Sequence, residues 1–125
     1  MELDHTIVSV RDVAQSVDFY VTVLGLEDAG RVGPFAVIQV NPALTLDLQQ
    51  SHTPDPPIQH YAFAMDRERF NTVFARLKSA GVAYSDDPHD LGNMKGPGRS
   101  IGARGMADSV YFADPNGHIL EIRTY

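Results

Sequence analysis

Hydrophobic positions in the first part of the chain change from strand-like to helix-like spacing. Residues 3–10 are rich in β-branched types and end at Arg11 and Asp12, a polar pair that suits a strand running into a helix cap. The apolar positions that follow are spaced four, three and four residues apart, at Val13, Val17, Tyr20 and Leu24. This spacing places them on one face of a helix, and Gly25 is a typical helix end.

Three short extended pieces are predicted after this helix. They lie near residues 27–32, 35–40 and 44–49, and the pairs Gly33-Pro34 and Asn41-Pro42 between them favour turns. The first half of the chain is therefore predicted to fold in the order β-α-β-β-β.

A proline-rich segment at residues 53–57 separates the two halves of the chain. Its three prolines cannot donate hydrogen bonds to a sheet and hold the backbone extended. We therefore expect one domain made of module one, residues 1–52, a linker, and module two, residues 58–125.

The second module begins with the same order as the first. Residues 58–65 are strand-like, Asp66 suits a helix cap, and Gly81 ends the predicted helix. The apolar face of that helix consists of Phe70, Val73, Phe74 and Leu77. His5 lies 20 residues before Gly25, and His60 lies 21 residues before Gly81. The two histidines therefore occupy matching positions of an internal repeat.

The end of the chain predicts a hairpin and, before it, a long loop. Residues 109–113 and 118–123 are strand-like on either side of the turn Asp114-Pro115-Asn116-Gly117. The stretch from Tyr84 to Asp108 is rich in residues that interrupt regular structure: Gly92, Gly96, Pro97, Gly98, Gly102 and Gly105. We expect this stretch to be a mobile loop that covers a cavity.

The two histidines and one acid of the predicted strands share a sheet face. Side chains alternate along a strand, and this places His5, His60 and Glu121 on the faces that the helices do not cover. Two curved modules set side by side would join these faces. We therefore expect an α+β fold in which two βαβββ modules form a curved mixed sheet around a central cavity.

Two imidazoles and one carboxylate in such a cavity predict a divalent metal site. This set, with positions left open, suits iron, manganese, zinc or nickel, which would act as a Lewis acid on two neighbouring substrate oxygens. A single histidine in a half-buried strand is more often hydrogen-bonded than metal-bound. The shared face and the matching repeat positions favour the metal. His52, His89 and His118 lie in predicted loops or turns, so we expect them to be exposed.

Composition and net charge exclude some classes of binding partner. A net charge of −6 and a pI of about 5.1 argue against a nucleic-acid or anionic-membrane binder, which needs an excess of Lys and Arg. The chain has no cysteine, so it has neither a disulfide nor a thiolate ligand. The first residues resemble no signal sequence, and no apolar stretch is long enough to cross a bilayer. We expect a cytoplasmic protein with a small-molecule substrate.

Several motifs carry a resemblance to a known family. They are residues 3–10, Leu-Asp-His-Thr-Ile-Val-Ser-Val; the helix with Phe19-Tyr20 and Leu24-Gly25-Leu26; His60-Tyr61-Ala62-Phe63; and the run Tyr111-Phe112-Ala113-Asp114-Pro115-Asn116-Gly117-His118-Ile119-Leu120-Glu121. Together they closely resemble the glyoxalase, bleomycin-resistance and extradiol-dioxygenase superfamily, also called the vicinal oxygen chelate superfamily. The resemblance implies that Glu121 is a metal ligand and that His5 and His60 are the other two.

The resemblance leaves three classes of function open. Glyoxalase-type lyases and isomerases use a fourth ligand where this chain has Asp47 or Gln49, and we rank this class first. Small extradiol-type dioxygenases rank second, although only His89 offers their extra acid/base histidine. Metal-free drug-binding proteins of the bleomycin-resistance type rank third because they lack the three ligands.

A fosfomycin-modifying thiol transferase is not expected. His60, Ser109 and Tyr111 resemble positions of those enzymes. However, Ile7 replaces their threonine, and the chain ends at Tyr125, before their final basic residue.

Further residues are assigned to the predicted site. We expect Tyr111 to act with Glu121 in catalysis by hydrogen-bonding a metal-bound oxygen, although an aromatic packing role fits equally. Arg123 shares the face of Glu121 and is expected to neutralise a substrate carboxylate or to pair with an acid. The remaining substrate-binding candidates are Asp47, Gln49, Ser109, Lys95, Arg99 and Arg104, the last three of them in the predicted loop. We also expect a homodimer, with each metal site built within one chain or across two.

Overall fold

The computed structural model describes residues 1–125 as two compact units, Met1–Ile58 and Gln59–Tyr125. Each unit carries its own sheet and its own helix. None of the helices has the length and apolar character needed to cross a membrane.

The first unit has one helix and four strands. They are β1 (His5–Val10), α1 (Val13–Thr22), β2 (Glu27–Val32), β3 (Phe35–Asn41) and β4 (Leu44–Gln50). The sheet order is β1-β4-β3-β2, with β1 parallel to β4 and the other pairs antiparallel. The side chain of Asp12 accepts a hydrogen bond from the backbone N–H of Gln15, which caps α1 as the sequence predicts.

The core of the first unit lies between α1 and one face of its sheet. Its fully buried side chains include Val8, Tyr20, Ile38 and Leu48. His5 and Ile7 on β1 are exposed on the other face, as the alternation predicts.

The second unit has one helix and five strands. They are β5 (His60–Ala64), α2 (Arg67–Ser79), β6 (Tyr84–Ser85), β7 (Gly98–Gly102), β8 (Gly105–Ala113) and β9 (Ile119–Thr124). The order β5-β9-β8 repeats that of β1-β4-β3, and both β6 and β7 pair with β8. The predicted α+β fold with glyoxalase-like modules is confirmed; the two-residue strand β6 is an addition in the second module.

The prediction of one long loop between Tyr84 and Asp108 is wrong for its second half. Strand β7 forms a hairpin with β8, in which Ile101 pairs with Met106. Two of the glycines permit close contacts within sheet structure: a Cβ on Gly98 would lie 2.8 Å from that of Asp86, and one on Gly102 would lie 2.6 Å from Nη1 of Arg123. The irregular stretch is therefore confined to residues 86–97.

The prediction that His118 is exposed is also wrong, because its side chain is fully buried. Its Nδ1 accepts a hydrogen bond of 3.0 Å from the backbone N–H of Gln59. The carbonyl of Gln59 accepts a bond from the N–H of Ile119, so the ring helps to join the starts of β5 and β9. His52 and His89 are exposed as predicted.

Candidate functional site

The second unit has a polar sheet face formed by alternate residues of β5, β9, β8 and β7. Glu121 on β9 lies opposite Tyr111 on β8, and Arg123 lies opposite Ser109. His60 lies at the start of the edge strand β5. The helix α2 buries Phe70, Val73 and Leu77 on the other side, where Leu120 and Ile122 are also buried.

The two carboxylate oxygens of Glu121 have different surroundings. Oε1 accepts hydrogen bonds from the Ser109 hydroxyl at 2.7 Å and from Nη1 of Arg123 at 2.9 Å. Oε2 lies 3.3 Å from Nε2 of His60. Glu121 is buried, whereas the His60 side chain is 46% exposed. The imidazole of His60 is therefore the accessible member of this pair.

Arg123 is a buried cation. Its guanidinium pairs with Glu121 and donates from Nη2 to the carbonyl of Gly105 at 3.3 Å. The ring of Tyr125 lies 5.2 Å from its central carbon. Of the two roles expected for Arg123, the structure shows pairing with an acid, and that acid is Glu121.

The first unit presents a second histidine on its exposed sheet face. Nδ1 of His5 donates to the Asp4 carboxylate at 2.6 Å, which leaves Nε2 as the nitrogen able to bind a metal. The hydrogen bond to Asp4 is the main reason why the pKa of His5 is raised, and the charge of Asp47 adds to the effect.

The registers of the two parallel strand pairs show that Asp47 and Glu121 are equivalent. His5 pairs with Thr45, and Asp47 follows two residues later on β4. His60 pairs with Ile119, and Glu121 follows two residues later on β9. Each unit therefore carries an imidazole and an acid in the same relation. Asp47 fits the expected fourth position better than Gln49, which is equivalent to Arg123.

Tyr111 and Ser109 lie beside Glu121 on β8. The Tyr111 ring is buried and meets the His60 imidazole edge-on, with the ring centres 6.2 Å apart. Ser109 is fully buried, and its hydroxyl is engaged with Glu121 rather than directed to solvent.

The three loop cations predicted to close over a substrate have different environments. Arg99 lies in β7 and pairs with Asp108, which also pairs with Arg67. Arg104 lies in the β7–β8 turn and stacks on Tyr125, 4.5 Å from the ring centre. Lys95 lies in the irregular stretch and is exposed. The idea that all three belong to one mobile loop is therefore wrong.

Two polar neighbours of the histidine–acid pairs are absent from the sequence prediction. Asp4 precedes His5 directly, and its position next to a candidate ligand is a signal for a supporting carboxylate. Ser100 binds Ser109 at 2.7 Å. The role of Ser100 is not recognisable in the sequence, because the glycines of residues 98–102 predict a loop. The signal for a strand is that Gly98, Ser100 and Gly102 are small residues at alternate positions.

The side chains of the second unit fit part of a metal site. Two atoms that bind one ion at about 2.1 Å each lie about 3.0–3.4 Å apart at coordination angles of about 90–110°. The separation of 3.3 Å between Nε2 of His60 and Oε2 of Glu121 falls in this range. Neither unit by itself brings three histidine or acidic side chains together.

Comparison with known proteins gives a family match along nearly the whole chain. The model of the Glyoxalase/Bleomycin resistance protein/Dioxygenase superfamily matches residues 2–122. This range includes His5, His60 and Glu121.

Individual relatives differ in the reactions that their names describe. Glutathione transferase FosA of Serratia marcescens is 30% identical over 96% of this chain and 78% of its own. Metallothiol transferase FosB of Shouchella clausii is 26% identical over 98% of this chain and 79% of its own. The solved structure of oxidase ChaP-H1 is 35% identical, covers 100% of this chain and 96% of its own, and has a TM-score of 0.82.

Proposed function

We propose, because the chain belongs to the glyoxalase, bleomycin-resistance and dioxygenase superfamily, that it is a metal-dependent enzyme that acts on a small molecule through His5, His60 and Glu121. The observation that carries this proposal is the 3.3 Å approach of His60 Nε2 to Oε2 of a buried glutamate. His5, whose Nδ1 is occupied by Asp4, supplies the third ligand.

The chemistry divides between the ion and the protein side chains. A divalent ion, iron, manganese, zinc or nickel, supplies Lewis-acid or redox chemistry to two neighbouring substrate oxygens. Glu121 is held in one orientation by Ser109 and Arg123. Tyr111, next to both His60 and Glu121, donates its hydroxyl to a substrate oxygen. Lys95 and Asp47 are the remaining polar groups assigned to the substrate.

The reaction class that we favour is oxidation of an electron-rich small molecule with dioxygen as the oxidant. Two histidines and one carboxylate with open positions are the ligand set of non-haem iron(II) oxygenases. The 35% identity to oxidase ChaP-H1 over the whole chain supports this class. It corresponds to the dioxygenase alternative of the sequence analysis.

Thiol transfer is the second candidate. The similarity to FosA and FosB supports it, although Ile7 stands where the sequence analysis expects a threonine in such enzymes. The glyoxalase-type lyase or isomerase reaction, ranked first on sequence alone, stays a prediction.

The metal content of purified protein without an affinity tag tests the proposal. We expect about one iron, manganese, zinc or nickel ion per chain, and its loss in His60→Ala and in Glu121→Gln. The matched control is His52→Ala, which removes an exposed histidine and keeps the metal. Equal metal content in wild type and His60→Ala would contradict the proposed ligands.

Turnover assays with the metal-loaded protein then separate the reaction classes. Oxygen uptake with catechols supports oxidation, conjugation of a thiol to an epoxide supports thiol transfer, and conversion of a hemithioacetal supports the isomerase. Binding of a small molecule without metal or turnover would favour the drug-binding class.

Quaternary structure and location are part of the same proposal. We place His5 with the other ligands in a homodimer, and sedimentation measures the oligomeric state. Mixing His5→Ala protein with His60→Ala protein shows which chain supplies His5 to each site. Metal binding is regained only if His5 of one chain completes the site of its partner chain. The cytoplasmic location expected from the lack of cysteine stays a prediction.

A further inference from the structure

The unequal surroundings of the two Glu121 oxygens carry one inference beyond the identity of the ligands. We infer that Ser109 and Arg123 are positioning residues that restrict Glu121 to one ligand oxygen, Oε2, and thereby reserve a coordination position for the second oxygen of a chelating substrate. The inference rests on the proposed metal site.

The first support is the occupation of Oε1 by donors. A serine hydroxyl has one proton, and that of Ser109 is donated to Oε1 at 2.7 Å. The Ser100 hydroxyl lies 2.7 Å from that of Ser109 and 3.4 Å from Oε1, so it is a further donor beside this oxygen. Nη1 of Arg123 is a second donor to Oε1 at 2.9 Å, whereas the oxygen that lies 3.3 Å from Nε2 of His60 is Oε2.

The second support is the position of the Arg123 guanidinium against backbone carbonyls of the β7–β8 hairpin. The carbonyls of Ser100 and Gly105 lie 3.5 and 3.3 Å from Nη2, and the missing side chain of Gly102 leaves room for the group. A Cβ at Gly102 would lie 2.7 Å from the central guanidinium carbon. The β7–β8 hairpin therefore fixes the orientation of the cation that fixes Glu121.

The burial of Arg123 contributes little to the stability of the sheet. Its Nε is buried and has no hydrogen-bond partner, and an unpaired buried donor destabilises the folded state. A buried arginine–glutamate pair is often no more stabilising than apolar residues of similar size. We therefore assign the Arg123–Glu121 pair the role of fixing the orientation of the Glu121 carboxylate.

The consequence for a metal follows from how carboxylates bind. A free carboxylate binds an ion through one oxygen or through both. A substrate that chelates through two oxygens needs two open positions, and a glutamate that binds through both of its oxygens takes one of them. Release of Oε1 therefore weakens the binding of a ligand that uses two oxygens more than the binding of a ligand that uses one atom.

Two variants test this without removing a ligand or a charge. Arg123→Lys keeps the cation but loses the planar fork. Gly102→Ala, on the β7–β8 hairpin, displaces the guanidinium without changing the identity of Arg123 or Glu121. The control is Arg31→Lys, the same substitution in the exposed Arg31–Asp28 pair. Gly102→Ala carries the test where Arg123→Lys fails to fold.

The measurement is made on protein saturated with Mn²⁺. We expect acetohydroxamate, a two-oxygen chelator, to bind about 10-fold more weakly in both variants, with azide binding changed less. The Mn²⁺ electron paramagnetic resonance spectrum should change in the variants and stay as in wild type in Arg31→Lys.

The outcomes separate this inference from the proposed function. Wild-type protein that takes up no divalent metal overturns the metal site, and this inference with it. Wild-type protein that binds Mn²⁺, with chelator affinity and spectrum unchanged in both variants, overturns the positioning role alone. An equal loss of azide and chelator affinity also contradicts it, because the variants then weaken exogenous ligands in general and not the position of the second substrate oxygen.

Discussion

His118 and Glu121 are buried polar side chains near the carboxyl end of the chain, and each is held by hydrogen bonds. The His118 ring accepts from the backbone of Gln59, and Glu121 accepts from Ser109 and Arg123. Glu121 could be predicted from its motif and strand face. The burial of His118 could not be predicted, because its acceptor role depends on the backbone of Gln59, which lies 59 residues away.

Replacement of His118 should reveal this acceptor role. His118→Leu removes the acceptor of the Gln59 N–H, and we expect it to lower the free energy of unfolding by about 0.5–1.5 kcal/mol. His118→Asn offers an oxygen near the place of Nδ1 and should lose less. Urea unfolding of both variants measures the difference, and equal losses would contradict the role.

Among the elements, the β7–β8 hairpin departs most from the sequence prediction. Glycine and proline content favours a loop in a propensity argument, but tertiary contacts override it here. Gly98 lies close to Asp86 and Gly102 lies close to Arg123, where a larger side chain would collide. All five residues of β7 pair with β8. The helices and the strands of the first unit were predicted to within a few residues because their periodicity and caps agree.

Asp108 ties this hairpin to the start of α2. Its carboxylate pairs with Arg67 at 2.6 Å and with Arg99 at 3.1 Å, and these hydrogen bonds, that of Arg67 first, lower its pKa. Because both arginines are more than half exposed, we expect Asp108→Asn to destabilise the protein by only about 0.5–1 kcal/mol at neutral pH.

The pH dependence of that loss follows from the lowered pKa. The folded state holds the Asp108 proton more weakly than the unfolded state, so its stabilisation is complete above the ordinary value of 3.8 and is lost as the pH falls from there through the folded pKa. The difference in Tm between wild type and Asp108→Asn should be constant from neutral pH down to about 5 and shrink below 3.8. A difference that grows on acidification would contradict the pairing.

At the level of the whole molecule, the internal repeat could be predicted from the spacing of His5 and His60, and it is present in the order of the strands. The equivalence of Asp47 and Glu121 could not be predicted, because it depends on the register of the parallel pairs. The support of Glu121 by Ser109, Ser100 and Arg123 was also out of reach, since it joins three strands at the atomic level.

The proposed metal site makes both units necessary. We expect His5→Ala to abolish metal uptake although His60 and Glu121 are untouched, because the first unit supplies the third ligand. His52→Ala in the same unit is the control, and circular dichroism checks that both variants are folded. Full metal content in His5→Ala would restrict the site to the second unit.

The matching registers of β1 with β4 and of β5 with β9 bear on how such a protein diverges. Of the paired positions, His5 and His60 are both assigned to the metal, whereas Asp47 and Gln49 differ in residue type from their counterparts Glu121 and Arg123. Substitution at Asp47 or Gln49 therefore alters one copy of the arrangement while the glutamate and its arginine in the other unit stay unchanged.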